Sequence, residues 1–222
     1  FEDLIAKDDH VVHVCPVDSE APEGRLILPQ VNAIRDALDN DCIAIVLQPH
    51  NLEKYLQNCG VKPKIVVTDS QAFEAVSKAV PADIPMTGFS VLLARAKGAF
   101  DSYLKGTPQI DNLKENDRIL ILESCSHHST CDDIGRVKLP RLLQKHTGKT
   151  LQWDVVAGLD NIERDIKEYA MVIQCGACMI THRQLINRLR PAIEAGVPIS
   201  NYGMALAWCT GIYKRATSMF VK

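Results

Sequence analysis

Three cysteines stand directly after two short apolar segments of this 222-residue chain. Cys125 follows the apolar run 118–122, and Cys175 and Cys178 form a C-G-A-C motif. A second apolar run, 170–173, precedes that motif. Unbroken apolar runs are typical of parallel strands covered on both faces, and ligands bind at the carboxyl ends of such strands. The three thiols are therefore predicted to line one crevice.

Three kinds of chemistry fit these thiols. A C-x-x-C pair alone is shared by dithiol oxidoreductases, zinc sites and iron-sulfur proteins. A redox pair of Cys175 and Cys178 would leave Cys125 unexplained, and His127 and His128 beside Cys125 favour a metal. Zinc would take the three cysteines with His127, whereas an iron-sulfur cluster would leave one iron for another ligand. A chain long enough to form its own core needs no zinc for stability, which favours the cluster.

The fourth ligand of such a site has several candidates. Asp132 lies in the sequence C-D-D-I-G-R-V-K, close enough to Cys125 to fold back over the same crevice. Cys131 and His127 are rivals, and so is a water or an exogenous ligand. Asp132 could instead cap the following helix, since capping carboxylates stabilise helix N-termini. The sequence leaves these alternatives open.

The remaining cysteines and the composition are those expected of an ordinary soluble globular protein. Cys15, Cys42, Cys59 and Cys209 are expected to pack as small apolar residues, and the lack of a secretory signal favours reduced thiols. With 25 basic and 27 acidic residues the chain offers no broad charge for nucleic acid or an anionic membrane. No apolar segment approaches a membrane span. A cytoplasmic location is expected, and Phe1 in place of Met predicts a processed or truncated chain.

Strand and helix patterns alternate along the sequence, which predicts an α/β fold of two domains with mainly parallel sheets flanked by helices in Rossmann-like layers. No internal sequence repeat is visible. The domains are predicted at 1–88 and 89–222, the second beginning with a connecting helix. A first domain with about three strands would leave a sheet edge exposed, which predicts homodimerisation. The predicted strands are 11–15, 42–47, 64–68, 118–123, 152–156, 170–174 and 197–200. The predicted helices are 30–38, 52–59, 70–80, 89–104, 137–146, 161–168 and 182–195.

The sequence resembles a known family, the scaffold GTPases of [FeFe]-hydrogenase maturation. The family signature is C-x-H followed by H-C-x-x-C, and C-S-H at 125–127 and Q-C-G-A-C at 174–178 are similar to it. The segment 18–30 resembles the family's dimerisation domain, and D-D-I-G-R-V-K-L-P at 132–140 resembles the segment after its first ligand. Gln174 stands where the family frequently has histidine, so a ligand role of that histidine does not apply here.

The resemblance implies a full protein with a GTPase domain, a dimerisation domain and a cluster-binding domain, of which this sequence carries the last two. It implies a [4Fe-4S] cluster on Cys125, Cys175 and Cys178 with a labile fourth position that accepts a non-cysteine ligand, and Asp132 stands where a carboxylate metal ligand is expected by similarity. A diiron precursor with CO and cyanide ligands would come from radical-SAM hydrogenase maturases and pass to apo-[FeFe]-hydrogenase. This chain is then a scaffold and not an enzyme, and GTPase activity belongs to the absent domain.

Overall fold

A computed structural model of the chain describes residues 3–17, 23–124 and 134–221. The chain forms two compact units, Phe1–Ala96 with Thr210–Lys222 and Lys97–Cys209. Each unit contains a four-stranded parallel sheet flanked by helices. The predicted α/β class with Rossmann-like layers is confirmed. Within the described ranges no helix is both long enough and apolar enough to cross a lipid bilayer.

The first unit is built on a sheet with the strand order β2-β1-β3-β4. Its strands are β1 (His10–Val14), β2 (Ile43–Leu47), β3 (Ile65–Thr68) and β4 (Met86–Gly88). Its first four helices are α1 (Leu28–Asp39), α2 (Leu52–Asn58), α3 (Phe73–Ala79) and α4 (Phe89–Lys97). The central strands β1 and β3 are buried along almost their whole length. This is the burial that a parallel sheet covered on both faces requires.

The second unit repeats this arrangement with the strand order β6-β5-β7-β8. Its strands are β5 (Arg118–Leu122), β6 (Gln152–Val156), β7 (Met171–Gln174) and β8 (Ile199–Asn201). Its helices are α5 (Phe100–Gly106), α6 (Leu139–Thr147), α7 (His182–Glu194) and α8 (Tyr202–Cys209). Helix α5 ends directly on β8, because a Cβ atom at Gly106 would lie 2.6 Å from the backbone nitrogen of Ile199. Only glycine allows this approach.

The last helix, α9 (Tyr213–Thr217), belongs to the first unit. The Thr87 hydroxyl on β4 donates a hydrogen bond of 2.7 Å to the carbonyl of Ala216. Arg215 donates to the carbonyls of Ser77 and Val80 at the end of α3, each at 2.8 Å. The side chains of the final residues pack against the first core. Helix α9 therefore covers the β4 edge of the first sheet.

The seven predicted strands are all present, but the structure adds and corrects elements. Strand β4 was not predicted, because three residues between Pro85 and a helix carry too little pattern. The helix predicted at 161–168 is wrong: only a 3₁₀ turn, Ile166–Glu168, forms there, capped by Asp165. The predicted helix 89–104 is two helices, α4 and α5. The unit boundary also differs from the predicted 88/89, because Phe89 and Leu92 of α4 pack in the first core.

His13 is a buried titratable side chain at the centre of the first unit. It lies on β1, is fully buried, and stacks on Phe89 with ring centroids 6.2 Å apart. Burial lowers the pKa of His13 to about 4. The neutral imidazole is therefore the form that the folded state accepts.

This burial predicts acid sensitivity of the fold. As pH falls from 6.5 to 4, the unfolded chain binds a proton at residue 13 before the folded chain does. The free energy of unfolding should therefore fall by about 3 kcal/mol across this window. Urea titrations at several pH values measure the effect. His13→Leu should flatten the pH dependence, whereas the exposed His50→Gln should not; an unchanged slope in His13→Leu would contradict the assignment.

Candidate metal centre

The cysteines are predicted to meet at the carboxyl ends of β5 and β7, the two central strands of the second sheet. These strands are adjacent and parallel, and Leu122 at the end of β5 pairs with Gln174 at the end of β7. One neighbour of this pair is β6 and the other is β8. The strand order therefore reverses between β5 and β7, and open parallel sheets bind ligands at such a point. Cys175 follows β7 directly, and Cys178 lies in the next loop.

Several predicted site residues lie outside the part of the chain that the structure describes. Cys125 and Asp132, both predicted to be metal ligands, belong to the segment 125–133, and so do His127, His128 and Cys131. Their roles remain predictions. Within the described residues, no group of three or more His, Cys, Asp or Glu side chains is arranged to hold a metal ion. The structure therefore gives the surroundings of Cys175 and Cys178.

Among the described residues, three N–H groups donate to the sulfur of Cys175. The backbone N–H of Ser124 donates to Sγ at 2.9 Å, the backbone N–H of Ala177 at 3.3 Å, and the Gln174 side-chain amide at 3.4 Å. The residue is 3% exposed. A neutral thiol is a weak acceptor, whereas hydrogen bonds to an anionic sulfur are charge-assisted and stronger. This environment suits a thiolate, which is the form that binds metal.

Ser124 ties the end of β5 to the C-G-A-C loop through both of its backbone groups. Its N–H donates to Cys175 Sγ, and its carbonyl accepts the N–H of Met179 at 3.3 Å. The side chain is also buried, at 3% exposure. Ser124 is the residue before Cys125, and Met179 is the residue after Cys178. Described hydrogen bonds thus join Ser124, the neighbour of Cys125, both to Cys175 and to Met179, the neighbour of Cys178.

The C-G-A-C loop has an unusual backbone conformation at Ala177. This residue has φ of 54°, in the left-handed region that residues with a Cβ atom rarely occupy, and it is fully buried. The conformation allows its N–H to reach the sulfur of Cys175. Its carbonyl accepts a hydrogen bond of 2.6 Å from the ammonium of Lys97. The Lys97 carbonyl is in turn 2.6 Å from Nδ1 of His182, so Lys97 links the loop to the first residue of α7.

Gln174, which the sequence excludes as a histidine ligand, lies beside the sulfur of Cys175. Its side-chain amide is fully buried and donates to the Leu122 carbonyl at 3.0 Å as well as to Cys175 Sγ. Because a carbonyl oxygen can only accept, the amide nitrogen of Gln174 is the atom that faces the Leu122 carbonyl, and the same nitrogen donates to the sulfur. Gln174 therefore supplies hydrogen bonds to the sulfur.

The two flanks of the segment 125–133 are joined by an ion pair. The guanidinium of Arg136 contacts the carboxylate of Glu123 at 2.8 Å. Arg136 lies in a π-helix, Ile134–Lys138, and π-turns are frequent at functional sites. Gly135 in this turn packs against Tyr202, because a Cβ atom there would lie 2.7 Å from Cζ of the Tyr202 ring. The described residues on the two sides of the segment 125–133 are therefore held together by the contact of Glu123 with Arg136.

Three further cysteines, Cys15, Cys42 and Cys209, have surroundings that differ from those of Cys175. Burial, with a contribution from Asp69, raises the pKa of Cys15 to about 12. Burial, with a contribution from Asp111, likewise raises the pKa of Cys209 to about 12. Burial also raises the pKa of Cys42. These side chains stay protonated at neutral pH, as expected for cysteines that pack in a core.

Sequence reasoning did not identify Ser124 and Lys97 as parts of this site. Ser124 was visible beside Cys125, but a serine before a ligand has no distinctive pattern. Lys97 lies 80 residues from the loop that it contacts. Only the fold brings such residues together.

The thiol environments predict an order of alkylation in the metal-free protein. Cys178 is half-buried and Cys175 is buried, so iodoacetamide should modify Cys178 at least about tenfold faster, because access limits the reaction. Cys15 and Cys209 should react slowest, since few of these thiols are ionised. Peptide mass spectrometry at neutral pH measures the rates, and the protein in guanidinium chloride is the control. Faster modification of Cys175 than of Cys178 would contradict the described burial.

Comparisons with solved structures add no argument about this chain. An NtrC family transcriptional regulator from Clostridium acetobutylicum is 10% identical with a TM-score of 0.27, covering 93% of this chain and 97% of that chain. An ABC transporter solute binding protein from Burkholderia multivorans is 13% identical with a TM-score of 0.25, covering 98% and 95%. The comparison with curated proteins found no significant match.

Comparison with protein families gives a clear result. The hydrogen maturase F dimerization domain matches residues 1–98, and the hydrogen maturase F tetramerization domain matches residues 101–219. The two matches together cover nearly the whole sequence, and their border lies close to the division between the two structural units. This result supports a role in hydrogenase maturation. The chain belongs to the hydrogen maturase F family.

Proposed function

We propose that this chain is a scaffold and carrier in [FeFe]-hydrogenase maturation. It would bind a [4Fe-4S] cluster through Cys125, Cys175 and Cys178, receive a diiron precursor from radical-SAM maturases, and transfer it to apo-hydrogenase. The observation that carries the proposal is the set of three N–H donors on Cys175 Sγ, one of them from the residue before Cys125. Family membership gives the biological context.

The donor set fits an iron-sulfur cluster. Hydrogen bonds to ligand sulfurs are among the features that set the reduction potential of such clusters. Three thiolates would leave one iron for a fourth ligand, for which Asp132 is our candidate, although carboxylates are poorer partners than thiolates for soft metals. An exchangeable fourth position is what a carrier requires, because cargo can bind there and leave. The roles of this chain's residues are to hold the thiolates, exclude water from Cys175 and keep the C-G-A-C loop fixed.

A dithiol-disulfide oxidoreductase is the first alternative, and the loop geometry disfavours it. A redox C-x-x-C at the start of a helix has its thiolate activated by the helix N-terminus. Here α7 begins only at His182 and is capped by Thr181, so both cysteines precede the helix. Cys175 is also nearly inaccessible to a disulfide partner.

A structural zinc module is the second alternative. Such modules usually lack a sufficient hydrophobic core and unfold when the metal is removed. The second unit has fully buried apolar residues on β5 and β7, including Leu120, Ile121 and Val172. It therefore does not need a metal to supply its stability.

Anaerobic reconstitution with iron and sulfide tests the proposal. The wild-type chain should bind about four irons and show the visible absorption and reduced-state EPR signal of a [4Fe-4S] cluster. Cys125→Ser, Cys175→Ser and Cys178→Ser should each lose most of the iron, whereas Cys59→Ser in the first unit should not. Full reconstitution of Cys125→Ser would exclude its ligand role. Zinc on purification together with unfolding by a chelator would favour the zinc module.

We also propose that the first unit mediates homodimerisation through the edge strand β2. Of the two edges of the first sheet, β4 is covered by α9, as the hydrogen bond from Thr87 to Ala216 illustrates. Strand β2 instead carries Ile43 at 47% exposure and Val46 at 48%. The N–H of Ile43 bonds toward β1, so alternation along the strand turns the N–H of Val46 outward. An edge with apolar side chains and outward N–H groups favours pairing with another strand.

A charge on this edge should disrupt the dimer. Val46→Lys should halve the mass measured by light scattering at micromolar concentration, because a lysine on an edge strand opposes strand pairing. Val46→Thr keeps the branched side chain without charge and serves as the matched control. Circular dichroism should show both variants folded. An unchanged mass for a folded Val46→Lys would place the interface elsewhere.

A further inference from the structure

Arg188 on α7 joins the ends of two strands of the second sheet. One guanidinium nitrogen donates to the Glu123 carbonyl at 2.9 Å, to the Ser124 hydroxyl oxygen at 2.7 Å, and to the Gly158 carbonyl. The other terminal nitrogen donates to the Val156 carbonyl at 2.7 Å. Four acceptors from the ends of β5 and β6 therefore converge on one side chain.

All of these acceptors are uncharged. Within the described residues, no carboxylate lies within ion-pair distance of Arg188. Burial lowers the pKa of Arg188, and negative charge on Cys175, Asp160 and Glu123, with Cys175 foremost, opposes this change. A partly buried cation without a carboxylate partner is costly unless other charge compensates it. Negative charge on the sulfur of Cys175 would provide the foremost part of that compensation, beside Asp160 and Glu123.

Ser124 connects Arg188 to the thiol site. Its side-chain oxygen accepts from Arg188, and its backbone N–H donates to Cys175 Sγ. The same residue is bonded through its carbonyl to Met179 in the C-G-A-C loop. Arg188 therefore acts on the residue that precedes Cys125 and contacts Cys175.

We infer that Arg188 is a positioning residue for the metal centre, which fixes Ser124 against Cys175 and supplies positive charge near the anionic group that Cys175 would hold. The inference rests on the proposed function, because it concerns the group that Cys175 would hold. Lysine would retain the charge but lacks the planar fork that reaches several acceptors. Glutamine would remove the charge and retain one donor group.

The test compares Arg188→Gln and Arg188→Lys with Arg190→Met in the full chain. Arg190 lies on the same helix and is exposed, and its described side-chain hydrogen bond goes only to Asn187. Arg190→Met removes a positive charge from this helix without touching the site, and it is therefore the matched control. The measured quantity is the midpoint potential of the reconstituted cluster, followed by EPR. Removal of the positive charge in Arg188→Gln should disfavour reduction by about tenfold, a downward shift of about 59 mV for one electron. Arg188→Lys should recover at least half of the shift.

A second measurement uses the metal-free protein. Hydrogen exchange at the Ser124 amide should accelerate at least tenfold in Arg188→Gln and remain unchanged in Arg190→Met. An unmoved potential overturns the inference, since Arg188 would then be only a structural clamp. If Arg188→Gln takes up no cluster, an unchanged Ser124 exchange rate overturns it. If the wild-type chain itself takes up no cluster, the proposed function fails, and the exchange rate alone decides whether Arg188 positions Ser124.

Discussion

The pairing of β5 with β7 is the constraint on which the second unit's site depends. Adjacent parallel strands have their carboxyl ends on the same side of the sheet. The residues that follow two such strands therefore lie close together, however far apart they are in the sequence. The reversal of strand order at this pair opens a crevice above the edge. Backbone groups then complete the site: the amide of Ser124 contacts the sulfur of Cys175 because Leu122 and Gln174 are in register.

The first unit repeats this geometry with different chemistry. Val14 and Thr68 occupy the register positions that Leu122 and Gln174 occupy in the second sheet, and the Thr68 hydroxyl donates to the Val14 carbonyl at 3.3 Å. Asp69 then stands where Cys175 stands in the second unit. Its carboxylate accepts a hydrogen bond of 2.5 Å from the buried Gln30 side chain. The same edge thus carries a satisfied carboxylate in one unit and a sulfur surrounded by donors in the other.

Local sequence patterns were sufficient to predict most strands of the two sheets, but they did not predict the contacts around the site. The apolar runs of β5 and β7 were sufficient to predict two buried parallel strands and to place Cys175 and Cys178 after them. Strand β4 was not predicted because three residues are too few to show a periodic pattern. Residues 161–168 were wrongly predicted as a helix because their apolar and polar residues alternate as in an amphipathic helix, although only a 3₁₀ turn forms there. The role of Lys97 could not be predicted from the sequence, because Lys97 is 80 residues away from the loop that it contacts. The positive φ of Ala177 was equally hidden, since alanine gives no sign of it.

The return of α9 to the first unit also has a consequence for biosynthesis. Domains generally fold as units during translation, with the N-terminal part first. Here the first unit cannot be complete until residues from Thr210 onward have left the ribosome, because those residues cover β4. The second unit, whose chain is continuous from Lys97 to Cys209, can finish earlier. During this interval β4 is an uncovered edge of the nascent first sheet, so the last residues to be synthesised close an edge that is open to strand pairing until they arrive.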